Sequence, residues 1–481
     1  MTGYGKTLYG LVWISKIMSE KPLTKKNLFF YGLSEMPLSI ASLPLLAFIP
    51  NYYVSDLGLD FAVVGLVMLL SRSFDAVTDP LIGFLSDRTN TRWGRRRIWM
   101  FLSIPFLMIA TYKIFFPQDL WEWVPFSLDF LSLNLGAGGH YLLFWFLVLW
   151  FGWSMLFIPY YSWAAELSSD YNDRSTIVGW RMFIGTFGNA ISKFLPAIAL
   201  FLFAFGGAEA TIIILGICLL IVIPICISLS VFNVSERMDY QVKQGSLKKG
   251  LIAMWRNSAF RKLIFAYFFN YLGITLSTLT VMFFIRGVTG EEEQGILYFV
   301  FYYIANLIGI PFWLWLCKKI GKHNAWKIGL LIFTCLQPCY FFLGEGDYYW
   351  MFPITFTAGL AGSTFHLIPH SMKADVIDYD TYLTGEDRAA QFFAAWSFVT
   401  KMAIAIAPFF AFTYLDLIGF DSTPGALNSP EQILGLKLLF CFGLPLFLLI
   451  AILFVLNYPI TQEKQEEIRK EIEVHKKQFQ V

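Results

Sequence analysis

The chain has 481 residues, of which 57% are hydrophobic and only 15% charged, and its mean hydropathy is +0.59. Soluble domains carry roughly 25% charged and about 45–50% apolar residues, so this composition excludes a soluble globular protein and makes lipid the solvent. A net charge of +2, with the basic residues scattered in small groups, gives no sign of a nucleic-acid surface, and no nucleic-acid partner is expected. Cys218, Cys226, Cys317, Cys335, Cys339 and Cys441 stand singly in apolar stretches without metal-ligand spacing, and read as small packing residues.

In chain order, residues 1–27 form a mixed polar segment with five lysines and no apolar run long enough for a cleavable signal. Its Leu8, Leu11, Val12, Ile14 and Met18 suit at most a short helix lying on the membrane. A spanning helix needs about 20 mostly apolar residues. Runs of that kind centre near Leu43, Leu70, Phe106, Trp150, Phe187 and Leu219, then near Tyr271, Ala305, Phe333, Leu360, Ala405 and Phe447. The second and eleventh carry charges inside the apolar run. Arg88 to Arg97, Lys243 to Lys262, Lys318 to Lys327 and the tail after Pro459 hold most of the Lys and Arg. Residues 51–60, 117–140 and 419–430 hold none. The asymmetry places both termini in the cytoplasm. The polar stretch 233–258 separates an N-terminal bundle, 28–232, from a C-terminal bundle, 259–458, with a tail at 459–481. A basic Gly-containing loop after span two (Ser86 to Arg97) has a weaker counterpart after span eight (Cys317 to His323), as two parallel six-span repeats would leave.

Charges inside spans carry the functional signal, because each costs several kcal/mol in lipid. Arg72, Asp75 and Asp79 fall at i, i+3 and i+7, on one helical face. Two carboxylates one turn apart repel, so one is protonated or a cation lies between them. Sodium takes hard oxygen donors, and Thr78 or a hydroxyl from a neighbouring helix could add to the set. The plainer reading, Arg72 neutralising one Asp to lock helices, leaves the second carboxylate unexplained. Pro80 suits an irregularity that frees backbone oxygens there. Lys401 has no carboxylate one turn away, so its partner comes from another helix, and Asp75 or Asp79 would serve; its plain reading is a lysine reaching for the interface. Glu35, Arg181, His366 and His370 are the other polar groups in spans, and either histidine can be a hydrogen-bonded packing residue. Trp153, Tyr160, Tyr161 and Trp396 lie at mid-depth, where they would stack on a sugar ring or flank an acyl chain.

The segment Asp75-Ala-Val-Thr-Asp-Pro-Leu-Ile-Gly83, followed by Ser86-Asp-Arg-Thr-Asn-Thr-Arg-Trp-Gly-Arg-Arg-Arg97, resembles the second-span signature of the glycoside-pentoside-hexuronide:cation symporters of the major facilitator superfamily. Pro159-Tyr160, Asp173-Arg174 with Arg181, Ala374-Asp-Val-Ile-Asp-Tyr-Asp380, Thr384-Gly385 and Lys401 resemble further landmarks in order. The resemblance implies that Asp75 and Asp79 are cation carboxylates, that Thr78 and Ser154 add oxygens, and that Lys401 lies beside them. The two sugar aspartates of the melibiose carriers are matched by Ser39 and Phe157, and a span-ten Trp by His366, while the Arg at 181 is kept. Glu35, one turn before Ser39, is the candidate substitute, and Tyr161, Trp396 and Ser397 complete the candidate substrate wall. The animal sodium-dependent lysophosphatidylcholine symporters of this family share the Ser371 to Asp378 form, which keeps an amphiphile or anion open, with Arg181 and Lys401 as counter-charges.

The expectation is therefore an all-α polytopic membrane protein with twelve transmembrane helices in two pseudo-symmetric six-helix bundles. It is expected in the cell inner membrane, as a monomer in contact with lipid. It is not an enzyme and needs no cofactor beyond a coupling ion, Na+ first and H+ second. The substrate is expected to be a small organic solute, foremost a sugar, glycoside or sugar acid. A lysophospholipid symporter and a proton-driven exporter are the alternatives.

Overall fold

The computed structural model describes residues 24–117, 135–167, 171–236, 254–384, 389–461, 463–468 and 471, with backbone alone for 165, 171–175, 389 and 390. Most of the N-terminal segment, the core of the middle loop, much of the tail and Gly385 lie outside these, as do the side chains of Asp173 and Arg174. Every regular element among the described residues is helical. Twelve helices are long and apolar enough to cross a membrane: α1 (Lys25–Ser55), α2 (Phe61–Arg88), α3 (Arg97–Phe115), α4 (Gly136–Leu167), α5 (Tyr171–Phe203), α6 (Gly207–Asn233), α7 (Ser258–Thr289), α8 (Glu292–Ile320), α9 (Lys322–Phe342), α10 (Tyr348–Thr384), α11 (Ala389–Leu417) and α12 (Pro430–Val455). Each of the twelve expected centres falls inside one of them.

Caps and breaks follow local chemistry. Asn257 opens α7 by accepting from Phe260 N at 3.0 Å, and Ser429 opens α12 through a capping box with Gln432 and Pro430 in the first turn. α10 is interrupted at Ser363. Side chains of neighbouring helices meet the carbonyls around that break: Trp313 Nε1 donates to Leu360 O at 2.7 Å and Asn270 Nδ2 to Phe365 O at 3.3 Å. In lipid such oxygens need a protein donor, and the break lies three residues before His366.

α1, α3, α4, α5 and α6 pack into one bundle with α2, and α7 to α12 into the other. Outward faces carry Phe201, Leu202, Ile221, Phe232, Leu446 and Leu453, all exposed, which form a belt suited to acyl chains. The repeat is visible in detail. In the first bundle Arg96, at the α2–α3 loop, bonds Glu166 near the end of α4 at 2.8 Å. In the second, Lys322, at the α8–α9 loop, bonds Asp375 on α10 at 2.6 Å. The first loop is further tied by Glu236, which accepts from Arg95 N at 3.0 Å and Arg96 N at 2.9 Å. Gly94 enters this loop at φ +109°, and a Cβ there would sit 2.2 Å from Glu236 Oε2. Gly94→Ala combines backbone strain of about 1–3 kcal/mol with loss of that clamp. It should lower the thermal midpoint of the detergent-solubilised protein by several degrees.

The bundles meet mainly at the end opposite the chain termini. Arg286, at the end of α7, ion-pairs with Asp56 from the α1–α2 loop at 3.6 Å, donates to Ser422 O at 2.7 Å and also bonds Glu292. Phe61 packs its ring on Phe283 at 5.2 Å, Phe412 at 5.7 Å and Phe420 at 6.2 Å. Gly65 lets α2 approach α11 closely, its Cβ position lying 3.2 Å from Pro408 O. Among the described residues, ion pairs and ring contacts between the bundles run from this end only as far as Asp79 and Lys401. Among the described residues the space between the bundles therefore opens toward the terminal end.

Candidate functional site: a carboxylate pair at the bundle interface

Asp75 lies on α2 with no exposed surface. Leaving it charged and unpaired would cost several kcal/mol. Three helices supply its partners. From α4, Ser154 Oγ is 3.0 Å from Asp75 Oδ1 and 2.8 Å from Asp79 Oδ1, one hydroxyl spanning both carboxylates. From α11, Lys401 Nζ is 2.9 Å from Asp75 Oδ2 and also bonds Asp79 Oδ2. On α2 itself, Arg72 stands 3.6 Å from Asp75 Oδ2, with its guanidinium stacked on the Trp150 ring of α4 at 3.4 Å. Thr78 Oγ1 lies 3.2 Å from Ser154 Oγ and 3.2 Å from Asp75 O.

Arg72 thus serves one carboxylate from a distance and rests on an aromatic face, while Lys401 bridges both. Without a cation between them the two carboxylates would repel, since like unit charges at about 4 Å interact by roughly 4 kcal/mol at an effective dielectric of 20. The ammonium removes that penalty. Four oxygen-bearing side chains, two carboxylates and two hydroxyls, converge on the same volume, a donor set that suits a small hard cation or a proton.

A second cluster adjoins the first on the N-terminal bundle. Glu35 Oε1 accepts from Tyr161 OH at 3.0 Å, and Glu35 Oε2 is 3.8 Å from Arg181 Nε. The Arg181 guanidinium lies 3.9 Å from the Tyr161 ring centroid. Glu35 is therefore bound to Arg181 and Tyr161. Phe157 links the clusters, its ring 4.1 Å from that of Tyr161 and 5.9 Å from Lys401 Nζ. Ser39 is buried against α5, its Oγ 3.1 Å from the Cβ position of Gly185.

On the opposite wall His366 is exposed toward the cleft and set edge-on to Tyr271 at 5.6 Å. Trp396 is buried under Tyr267 at 4.0 Å, and Ser397 is half-buried one turn before Lys401. The structure thus joins Asp75, Asp79, Thr78, Ser154, Arg72 and Lys401 in one network. It joins Glu35, Tyr161, Arg181 and Phe157 in a neighbouring one. Trp150, Tyr267 and Tyr271 were not singled out from sequence. Trp150 is four residues before Ser154, and Tyr267 and Tyr271 are themselves four apart, so helical spacing was the available signal.

A model of the MFS/sugar transport protein family matches residues 30–462. The chain belongs to that family. Among curated relatives, the inner membrane symporter YicJ of Escherichia coli (strain K12) is 24% identical, over 96% of this chain and 98% of its own length. Sodium-dependent lysophosphatidylcholine symporter 1 of Xenopus tropicalis is 25% identical, over 89% of this chain and 84% of its own. Among solved structures, the nucleoside transporter NupG superposes with a TM-score of 0.59 at 13% identity, covering 90% of this chain and 100% of that one. That likeness shows the fold. The protein is a multi-pass membrane transporter of the major facilitator type, not an enzyme.

Proposed function

We propose that this protein is a sodium-coupled symporter of a small sugar-like solute, seated in the inner membrane with both termini in the cytoplasm. The observation that carries this reading is the carboxylate pair held jointly by Ser154 and Lys401 at the bundle interface. A monovalent cation entering that pair takes the place of the Lys401 ammonium and gains the Ser154 and Thr78 oxygens. Lys401 then swings from Asp79 toward Phe157 and the Glu35–Arg181–Tyr161 cluster, where the solute binds. Ion and solute are thereby linked through one side chain, and the coupling is reciprocal: each tightens the other by the same factor. The family description and the relatives' names, a symporter and a sodium-dependent symporter, support the same reading.

The test is uptake into proteoliposomes, with a sodium gradient at fixed pH set against a pH gradient at fixed sodium. Glycosides, pentosides, uronates and lysophospholipids are the solutes offered. Accumulation should follow sodium, and thermal stabilisation should be largest when sodium and solute are present together. Accumulation that follows the pH gradient alone, or outward transport only, overturns the reading in favour of a proton-driven carrier. Uptake confined to lysophospholipids replaces the sugar by an amphiphile.

Ser154→Ala removes the one hydroxyl shared by both carboxylates. Hydrogen bonds to charged groups contribute about 1.5–3 kcal/mol, so sodium affinity should fall roughly 10- to 100-fold by calorimetric titration, with the fold retained. Unchanged affinity would remove Ser154 from the ion site.

A further inference from the structure

Two turns beyond His366, α10 carries a charge that the cation site does not use. Lys373 is 5% exposed. Its Nζ lies 4.0 Å from the Phe393 ring centroid and 4.9 Å from that of Trp396, and 3.4 Å from His370 Nδ1. Among the described residues no carboxylate reaches it. Asp375, two positions on, is bonded to Lys322 instead. A buried ammonium without a counter-ion is unfavourable, and two aromatic faces offset only part of that. His370 accepts one of the three ammonium protons. Beside it, the Trp396 Nε1 donor is buried with no acceptor at hydrogen-bond geometry. The cluster therefore has more donors than acceptors.

Its position is equally informative. His366 and His370 are both exposed on one α10 face, and the buried Lys373 follows on the same face one turn further along. His370 is packed 5.6 Å from Trp396 and 6.0 Å from Tyr267, and His366 5.6 Å from Tyr271. An oxyanion entering from the terminal end of the cleft would reach the level of Lys373 first, with the exposed His370 beside its ammonium at 3.4 Å and His366 one turn deeper. A polar ring attached to that oxyanion would extend along α10 toward His366, on the way to Lys401.

We infer that Lys373 and His370 form an oxyanion subsite on the C-terminal wall, which takes the carboxylate of an anionic sugar. The inference rests on the reading of the chain as a cation-coupled solute carrier and names the class of its solute. Selectivity follows from the donor excess: the neutral analogue of the same sugar leaves the ammonium without a counter-charge, so it binds more weakly.

The experiment uses the full-length protein in nanodiscs, with methyl β-glucuronide and methyl β-glucoside as matched probes. Each is titrated in sodium and in choline salts, with inorganic phosphate as a further arm. In the wild type the glucuronide should stabilise the protein at concentrations at least tenfold below those the glucoside needs. Lys373→Met, which keeps the packing volume and removes the charge, should erase that preference. Lys373→Arg should keep part of it. The sodium-induced shift without solute should be the same in Lys373→Met as in the wild type. A preference that survives Lys373→Met overturns the subsite, as does an equal wild-type response to both probes or an equal response to phosphate. A wild type that prefers glucuronide but shows no sodium shift would instead defeat the ion site while leaving this subsite standing. The choline arm keeps the two failures apart.

Discussion

Asp75→Ala and Asp79→Ala are each expected to abolish cation-driven accumulation while leaving a folded, membrane-inserted protein. Asp75 is the more damaging position. It is fully buried and takes contacts from Ser154, Lys401 and Arg72 at 3.0, 2.9 and 3.6 Å. Losing one charge-assisted contact to the cation costs about 1.5–3 kcal/mol, which corresponds to a loss of roughly 10- to 100-fold in cation affinity. Asp79→Ala leaves Asp75 and Lys401 as a neutral pair with no net attraction for a second cation. Sodium titrations followed by thermal stability, alongside gradient-driven uptake, measure both effects. Sodium-stimulated uptake that persists in both variants would sink the ion site, provided size-exclusion profiles match the wild type.

Lys401→Gln is expected to act in the opposite sense on binding and in the same sense on net transport. The ammonium competes with a cation for the two carboxylates, so its loss should tighten sodium binding by roughly 10- to 100-fold, the range set by one charge-assisted contact of about 1.5–3 kcal/mol. The carrier without sodium then keeps two carboxylates at the bundle interface with only Arg72, 3.6 Å from Asp75, to offset them. Its return across the membrane should slow, so net uptake falls while exchange of internal for external solute continues. Comparing net flux with exchange in the same vesicles separates these steps. Weaker sodium binding in Lys401→Gln would show that the lysine supports the ion rather than replacing it.

How much of this was legible in the sequence follows from where each feature gets its energy. Spans were readable because lipid demands long apolar runs, and all twelve centres were placed correctly. Asp75, Asp79 and Lys401 were readable because a charge inside such a run has few reasons to exist. The partnership of Lys401 with both carboxylates, 322 positions apart from Asp79, was readable only by default, since its own helix offered no anion. The C-terminal wall was harder. Tyr267 and Tyr271 belong to a chain with 19% aromatic residues, and aromatics at interfaces and in cores outnumber those at sites. Lys373 is followed by Asp375, Asp378 and Asp380, so the sequence alone surrounds it with carboxylates. Only the side-chain packing shows that Asp375 turns to Lys322 and leaves Lys373 among rings. The interruption of α10 was not legible either, because the donors that make it tolerable come from Asn270 and Trp313 on other helices.

The pairing of Arg72 and Lys401 with Asp75 and Asp79 has an electrical consequence. Two carboxylates, one guanidinium and one ammonium sum to zero, so the cluster crosses the membrane field without doing electrical work. Adding one sodium makes it +1. With a neutral solute a negative interior therefore pulls on the loaded carrier alone, by about 2.3 kcal/mol per charge for each 100 mV, whereas a carboxylate on the solute cancels that charge. The return step is indifferent to voltage. Carrier currents with a neutral solute should then rise with membrane potential only until reorientation of the empty protein becomes limiting, and flatten beyond that point.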